Sequence, residues 1–364
     1  MAKEIYRKLQ EQLDQYSVGF PATASGVEIR MLEKLFTEEE AEIFLDLSMA
    51  LETPESVAER TKRDPKAVAA LLKHMADKGL LFRWRSGDTV KYGAIPFVIG
   101  GIYTFQLKSI DRELAQMFEH YLNEGYQKNL MALKPSILRT IPIHHSVDVA
   151  HPVATYDDSR GIIKKQKLIA VADCICRVQQ DLIGQGCDKP REVCFSFGSA
   201  AQYYIDLGMG RQVTIEETLE ILDRCEETGL VNQPANLINP GGMCNCCGDC
   251  CGVLRAIKKH PRPIEMVSSN YYAAVNPDEC TACEICLERC QIEAISISED
   301  DVAEINLDRC IGCGLCVTTC PTKALRLEPK PEDQRYTPPA KGQELLMEMA
   351  QKRGKSLIPF TMAK

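Results

Sequence analysis

The chain has 364 residues, which is long enough for two or three domains that each bury a core. Its ordinary apolar content excludes a disordered chain, and its net charge of −8 argues against a protein whose main task is to grip nucleic acid. No apolar run approaches the roughly 20 residues that a bilayer span needs, and the polar N-terminal segment lacks the apolar stretch of a secretory signal. We therefore expect a cytoplasmic protein with no membrane span.

The N-terminal third predicts several helices followed by a hairpin. A helix within residues 1–30 precedes a capping box at Thr37 and Glu40, and Thr53-Pro54 and Asp64-Pro65 begin two further helices. Gly79 is expected to end the last of them, with strands at 80–85 and 89–93 beyond it. Three helices and a hairpin resemble a winged helix-turn-helix domain. We therefore expect residues 1–105 to form a helical extension and a winged-helix-like domain.

A winged helix serves either DNA binding or protein docking. Residues 54–92 hold nine Lys and Arg against five acidic residues, a local net charge of +4. Basic stretches of this size are common on solvated faces, and the whole chain is acidic. We favour docking to a protein over DNA binding for this domain.

Cysteine placement carries most of the functional information. There are 18 cysteines and none lies before residue 174. Disulfide scaffolds are short and secreted, whereas this chain is long and lacks an export signal, so clustered thiols at fixed spacing indicate metal ligands.

Two cysteine runs repeat with an offset of 30 residues. Both have the gaps C-x2-C-x2-C-x3-C, which provide three thiolates to one [4Fe–4S] cluster while the fourth cysteine ligates the other cluster. The predicted ligand sets are Cys280, Cys283, Cys286 and Cys320 for one cluster, and Cys310, Cys313, Cys316 and Cys290 for the other. Zinc also binds CxxC pairs, but two runs with identical gaps favour two cubanes over zinc.

These runs, with predicted strands at 294–298 and 303–307, resemble bacterial dicluster ferredoxins over about sixty residues. The resemblance implies a ferredoxin-like domain at 268–328 that binds two [4Fe–4S] clusters. Gln291 follows Cys290 where that family usually places proline, although every ligand position is kept.

A second cysteine group lies upstream. We predict that it binds at least one further metal centre, with iron favoured over zinc because iron–sulfur assembly is already required next door. If its last run enters a helix, Cys247 shares a face with Cys250 and Cys251. Arg177 is expected to offset the charge of a cluster and raise its potential. The nine candidate ligands are Cys174, Cys176, Cys187, Cys194, Cys244, Cys246, Cys247, Cys250 and Cys251.

The two Cys-Cys-Gly tripeptides resemble segments of heterodisulfide-reductase-type proteins, but the spacing around them differs, so we carry over no active site. The whole layout resembles a group of anaerobic bacterial proteins that join a winged-helix-like N-terminus, a CxC/CNCC segment and a dicluster ferredoxin. Cys225 differs from the nine candidates, because it lies on the apolar stripe of a helix predicted over 214–229 and is expected to be a core residue.

These observations predict a multi-domain α+β protein. The winged-helix-like domain is followed by a helical connector at 106–170, a mixed cysteine-rich domain at 171–267 and the ferredoxin-like domain. A proline-rich linker and a C-terminal helix occupy 329–364.

The leading hypothesis is an electron-transfer subunit that passes electrons through the clusters to or from a partner oxidoreductase. No phosphate-binding glycine motif follows a strand, so a flavin or nicotinamide would lie on that partner. Two alternatives remain: an enzyme whose 174–251 region holds a substrate-reducing cluster, and a redox-sensing DNA-binding regulator.

Overall fold

The computed structural model describes residues 2–98, 100–127, 136–146 and 154–355. Its N-terminal part is helical and ends in an antiparallel hairpin in which Phe82 lies opposite Gly93. The elements are α1 (Ala2–Leu13), α2 (Val27–Leu35), α3 (Glu38–Leu45), α4 (Pro54–Thr61), α5 (Pro65–Asp77), β1 (Phe82–Ser86) and β2 (Thr89–Gly93).

The predicted caps of this region are confirmed. Thr37 and Glu40 form a reciprocal capping box on α3, and Asp64 accepts a hydrogen bond from the Ala67 amide at the start of α5. Gly79 follows α5 with φ of +75°, the left-handed conformation that ends helices. The sequence interpretation missed α2, which Gly26 introduces from a left-handed conformation.

The middle part is built on one five-stranded antiparallel sheet with the strand order β5-β3-β4-β7-β6. Its strands are β3 (Ile169–Asp173), β4 (Glu192–Phe197), β5 (Gly210–Val213), β6 (Val231–Pro234) and β7 (Gly242–Cys246). The helices of this part are α6 (Arg112–Tyr121), α7 (Ser159–Lys164), α8 (Ile175–Leu182), α9 (Ser199–Asp206), α10 (Ile215–Glu227) and α11 (Gly252–Lys259). A short π-helix, Leu122–Tyr126, continues α6.

The C-terminal part contains two small antiparallel sheets, β8 with β11 and β9 with β10. Its elements are β8 (Tyr271–Val275), α12 (Ile285–Arg289), β9 (Ile295–Ile297), β10 (Ala303–Ile305), α13 (Leu315–Thr318), β11 (Leu325–Pro329) and α14 (Gly342–Lys352). The strands predicted at 294–298 and 303–307 are therefore present but shorter. Single 3-10 turns occur at Thr104–Gln106, His144–Ser146, Pro263–Met266, Pro277–Glu279 and Glu332–Gln334.

The 30-residue repeat extends to the backbone. Positive φ angles recur in pairs offset by 30 residues: Ala282 with Gly312, Glu284 with Gly314, and Glu293 with Lys323. Both cysteine loops therefore have the same local shape although their sequences differ.

The C-terminal segment folds back over the rest of the chain. Leu345 and Met349 of α14 belong to the N-terminal hydrophobic core, and Arg353 pairs with Asp14 at 2.7 Å. The middle part also contacts the N-terminal part, since the Tyr203 hydroxyl donates to the Leu81 carbonyl at 2.6 Å. Among the residues described, no helix is both long and apolar enough to cross a membrane.

Candidate metal centres

The first predicted ferredoxin ligand set surrounds one cavity. Cys280, Cys283, Cys286 and Cys320 all line it, together with Ile297 and Ala303. Cys283 is solvent-exposed and Cys286 is buried, so the cavity lies at the protein surface. The Ala303 amide donates to the Cys280 sulfur at 3.3 Å. We call this group the exposed ferredoxin site.

The second predicted set lies deeper, and we call it the inner ferredoxin site. Burial raises the pKa of Cys313 to about 12, and the nearby Cys290 and Cys310 sulfurs add to the rise. Burial raises the pKa of the Cys316 thiol in the same way, and the Cys313, Cys310 and Cys290 thiols add to the rise. Thiols with raised pKa values release protons when a metal binds, so metal binding here is coupled to proton release.

Glycine is required in the loop of the inner site because other parts of the chain lie against it. Gly314 has φ of +79°, and a Cβ added there would lie 2.1 Å from the Ser146 hydroxyl. A Cβ on Gly312 would lie 2.1 Å from the Tyr271 carbonyl oxygen. The equivalent residues of the exposed site, Ala282 and Glu284, are not glycines although their φ angles are also positive.

Six of the nine upstream cysteines form a closed ring of neighbouring thiols, which we call the six-thiol ring. Each thiol lies beside two others, and interaction with these neighbours lowers the pKa of three thiols and raises the pKa of the alternate three. The order around the ring is Cys174, Cys176, Cys251, Cys246, Cys244 and Cys194.

The sheet explains how the ring forms. Cys244 and Cys246 are two residues apart on β7, so they lie on the same face. Phe195 pairs with Met243 between β4 and β7, and this register places Cys194 opposite Cys244. Cys174 and Cys251 directly precede α8 and α11, so two helix starts complete the arrangement.

The other three upstream cysteines form a separate group, the three-thiol site. The sulfurs of Cys187, Cys247 and Cys250 all lie within 4.8 Å of one another, and Cys187 and Cys247 are 3.9 Å apart. A hydrogen bond from Cys250 lowers the pKa of Cys247 to about 5. An ion pair of 2.7 Å between Lys189 and Asp249 joins the loops beside this site.

The CNCCGDCC run does not itself lie on a helix, so the condition for a shared helix face of Cys247, Cys250 and Cys251 is not met. The helix α11 begins only at Gly252, after the last cysteine of the run. Cys250 and Cys251 therefore diverge: Cys250 joins Cys247 in the three-thiol site, and Cys251 joins the six-thiol ring. Cys225 belongs to neither group, since it lies on α10 within the hydrophobic core, where burial raises its pKa to about 12.

Arg177 lies between the two groups. Burial opposes its charge, but the thiols of Cys174, Cys247, Cys246 and Cys194 outweigh burial and raise its pKa. Its side chain is 1% exposed, and Nη2 donates to the Asn245 carbonyl at 3.2 Å. The Nε and Nη1 groups have no protein partner. Buried N–H donors without acceptors, beside all-thiol donor sets, fit anionic metal–thiolate or metal–sulfide groups.

The predicted basic surface of the N-terminal part is largely neutralised by ion pairs. Six of the nine Lys and Arg residues at 54–92 pair with carboxylates: Arg60, Arg63, Lys73, Lys78, Arg83 and Arg85. Arg85 and Arg83 of β1 both lie near Asp206 of α9, so this part of the hairpin faces the middle part of the chain.

Residues 273–327 match the family described as the 4Fe-4S dicluster domain. The match spans both cysteine runs and leaves the N-terminal and middle parts uncovered. No curated protein and no solved structure matches the chain.

Proposed function

We propose that this chain, which carries a 4Fe-4S dicluster domain, is an electron-transfer subunit that relays single electrons between its metal centres and a partner oxidoreductase. The observation that carries the proposal is the convergence of Cys280, Cys283, Cys286 and Cys320 on one surface cavity within the dicluster domain. The proposed ligands of the second cluster are Cys310, Cys313, Cys316 and Cys290. Each cubane supplies a one-electron carrier when bound.

The exposed ferredoxin site is the proposed point of exchange with the partner, because Cys283 is exposed there, whereas the four inner-site cysteines are buried or half-buried. Residues 278–304 hold nine exposed acidic residues and one basic residue, Arg289. Arg289 turns inward and donates to the carbonyls of Glu226 and Glu227. A redox partner with a basic surface, carrying a flavin or a nicotinamide site, would suit this face, and the rate of exchange should fall as ionic strength rises.

The middle part is proposed to hold additional iron–sulfur centres. Its nine thiols form two groups, and the donor set of each is all sulfur, which suits iron–sulfur clusters or zinc. The partnerless N–H groups of Arg177 favour a group with exposed sulfides, which is an iron–sulfur cluster, over a single zinc ion.

Serine substitution of one ligand in each middle group tests whether the dicluster domain binds its clusters independently of the middle part. The double variant Cys246→Ser, Cys247→Ser should lose metal from the middle part and retain the EPR signals of two reduced cubanes. Loss of both cubane signals in this variant would contradict a ferredoxin domain that binds its clusters independently.

A second candidate function is an enzyme with a substrate-reducing centre. The three-thiol site supports it, because three thiolates would leave a fourth position open on a tetrahedral metal ion, or one iron without a protein ligand on a cluster. Addition of cyanide or a small disulfide to the reduced protein would then change the EPR spectrum of the middle centre while the cubane signals stay constant.

Regulation through DNA binding is the weakest of the candidate functions, because most Lys and Arg side chains of residues 54–92 are already paired with carboxylates. Filter binding with duplex DNA should detect no affinity that rises steeply as salt is lowered. A steep salt dependence would restore the regulator hypothesis.

A further inference from the structure

One contact joins the ferredoxin part to the cysteine-rich middle part. The Gly248 amide donates to Oε1 of Gln291 at 2.7 Å. Gly248 directly follows Cys247 of the three-thiol site, and Gln291 directly follows Cys290 of the inner ferredoxin site. A single hydrogen bond therefore links the loops of two candidate metal sites, with one peptide unit on either side.

The backbones of the Gly248 and Gln291 loops are in direct contact. A Cβ added to Gly248 would lie 2.3 Å from the Gln291 carbonyl oxygen, so only glycine allows this approach. Gly248 is buried, so its N–H needs a protein acceptor. Arg289, on the other side of Cys290, donates to the Glu227 carbonyl at 2.8 Å at the end of α10. Both neighbours of Cys290 are thus anchored to the middle part.

The internal repeat provides a control within the chain. The equivalents of Arg289 and Gln291 in the second run are Thr319 and Pro321. Thr319 donates only to carbonyls of its own helix, at Leu315 and Cys316, and Pro321 is exposed and lacks a side-chain acceptor. A proline at position 291 could not accept the Gly248 hydrogen bond. Cys290 and Cys320 are the fourth cysteines of the two runs, and the contacts described here anchor only the neighbours of Cys290 to the middle part. The residue after Cys290 is also the one that differs from the family's usual proline.

We propose that Gln291 is a positioning residue that holds the three-thiol site against the inner ferredoxin site, so that electrons pass between the dicluster domain and the middle part at Cys290. One electron leaves one centre and enters the other, and no covalent bond forms or breaks. This inference rests on the proposed function, because it needs a redox-active metal at the three-thiol site.

The test uses the full chain, purified anaerobically, and compares three variants. Gln291→Leu removes the acceptor, Gln291→Glu keeps an acceptor oxygen, and Pro321→Gln alters the equivalent exposed position. After rapid mixing with less than one electron equivalent of reductant, freeze-quench EPR follows electron redistribution between the middle centre and the cubanes. Gln291→Leu should slow electron redistribution by about tenfold with the iron content unchanged. Without an acceptor for the buried Gly248 N–H, the close contact between the two loops is less favourable. Pro321→Gln should match the wild type, and Gln291→Glu should redistribute electrons faster than Gln291→Leu.

An unchanged rate in Gln291→Leu, or an equal slowing in Pro321→Gln, would overturn the inference. If Gln291→Leu loses iron, Gln291→Met is judged by the same criteria. Pulsed EPR on the wild type adds an independent measurement: the middle centre should be closer to the inner than to the exposed cubane, and the reverse order would overturn the inference. Absence of redox-active metal from the middle part would remove both this inference and the additional centre of the proposed function, whereas a loaded middle centre with an unchanged rate removes the inference alone.

Discussion

At the residue scale, Arg177 is a buried cation beside the thiols of the middle part. It is the largest fully buried side chain among the residues described, and two of its donor groups face no protein acceptor. A buried cation beside thiolates stabilises the more negative, reduced state of any cluster held there, because Coulomb interactions are strong in a low-dielectric interior.

We predict that Arg177→Gln lowers the reduction potential of the middle centre on the order of 100 mV, because a full charge is removed at close range. Arg177→Lys should lower it less, since the charge is kept. EPR-monitored redox titration measures the effect. Arg160, which is partly exposed and pairs with Asp223, provides the control substitution Arg160→Gln, and an equal shift in that variant would contradict a local role for Arg177.

Gly314 provides a second prediction at this scale. Gly314→Ala should destabilise the folded chain by about 3 kcal/mol, since it combines a left-handed backbone with a clash against Ser146. Glu284→Ala, at the equivalent exposed position with φ of 62°, should change stability by less than about 0.5 kcal/mol. Anaerobic thermal unfolding of the two variants side by side checks this. Equal losses would mean that Ser146 does not constrain the loop.

At the element scale, one ion pair holds α6 against α11. The two terminal guanidinium nitrogens of Arg255, Nη1 and Nη2, donate to the Glu119 carboxylate at 2.9 and 2.5 Å. Burial alone would raise the pKa of Glu119, but hydrogen bonds from Arg255, Asn123 and Gln180 outweigh burial and lower it to about 2. This pair fixes α11, and with it the position of Cys251 at the start of that helix.

Glu119→Gln should therefore reduce the free energy of unfolding by about 3 kcal/mol at neutral pH. Because the folded-state pKa is depressed, the stabilisation is complete above the unfolded-state value of about 4.3 and is lost as pH falls towards 2. Urea unfolding of wild type and variant should give a constant difference between pH 8 and pH 5.5. Glu4→Gln, on the exposed side of α1, is the control and should have almost no effect. A difference that changes steeply within that pH range would assign the stabilisation to another group.

At the scale of the whole molecule, the local elements were predictable because their signals are local. The cap at Thr37 and the prolines at Pro54 and Pro65 act through their own backbone neighbours, and the structure has each helix start where they predict it. The fixed gaps of the two ferredoxin runs likewise indicate a dicluster domain, and the family match at 273–327 confirms that domain.

The long-range arrangement was not predictable in the same way. Cys250 and Cys251 are adjacent in sequence yet join different groups, because each also has a partner about sixty or more residues away, Cys187 for Cys250 and Cys176 for Cys251. The contact between Gly248 and Gln291 depends on how two parts of the chain pack, and the only sequence signal for it was the departure from proline after Cys290. The packing of α14 on the N-terminal core was not predictable, because the proline-rich segment before it indicates only a linker.

Metal analysis decides whether the chain carries more redox centres than its two ferredoxin clusters. The full chain, purified anaerobically, is assayed for iron, zinc and acid-labile sulfide per chain, with EPR of the reduced form. We predict about twelve or more irons with matching sulfide and no zinc, because two cubanes account for only about eight. About eight irons, alone or with one zinc, would contradict this prediction and leave the middle part without a redox-active metal.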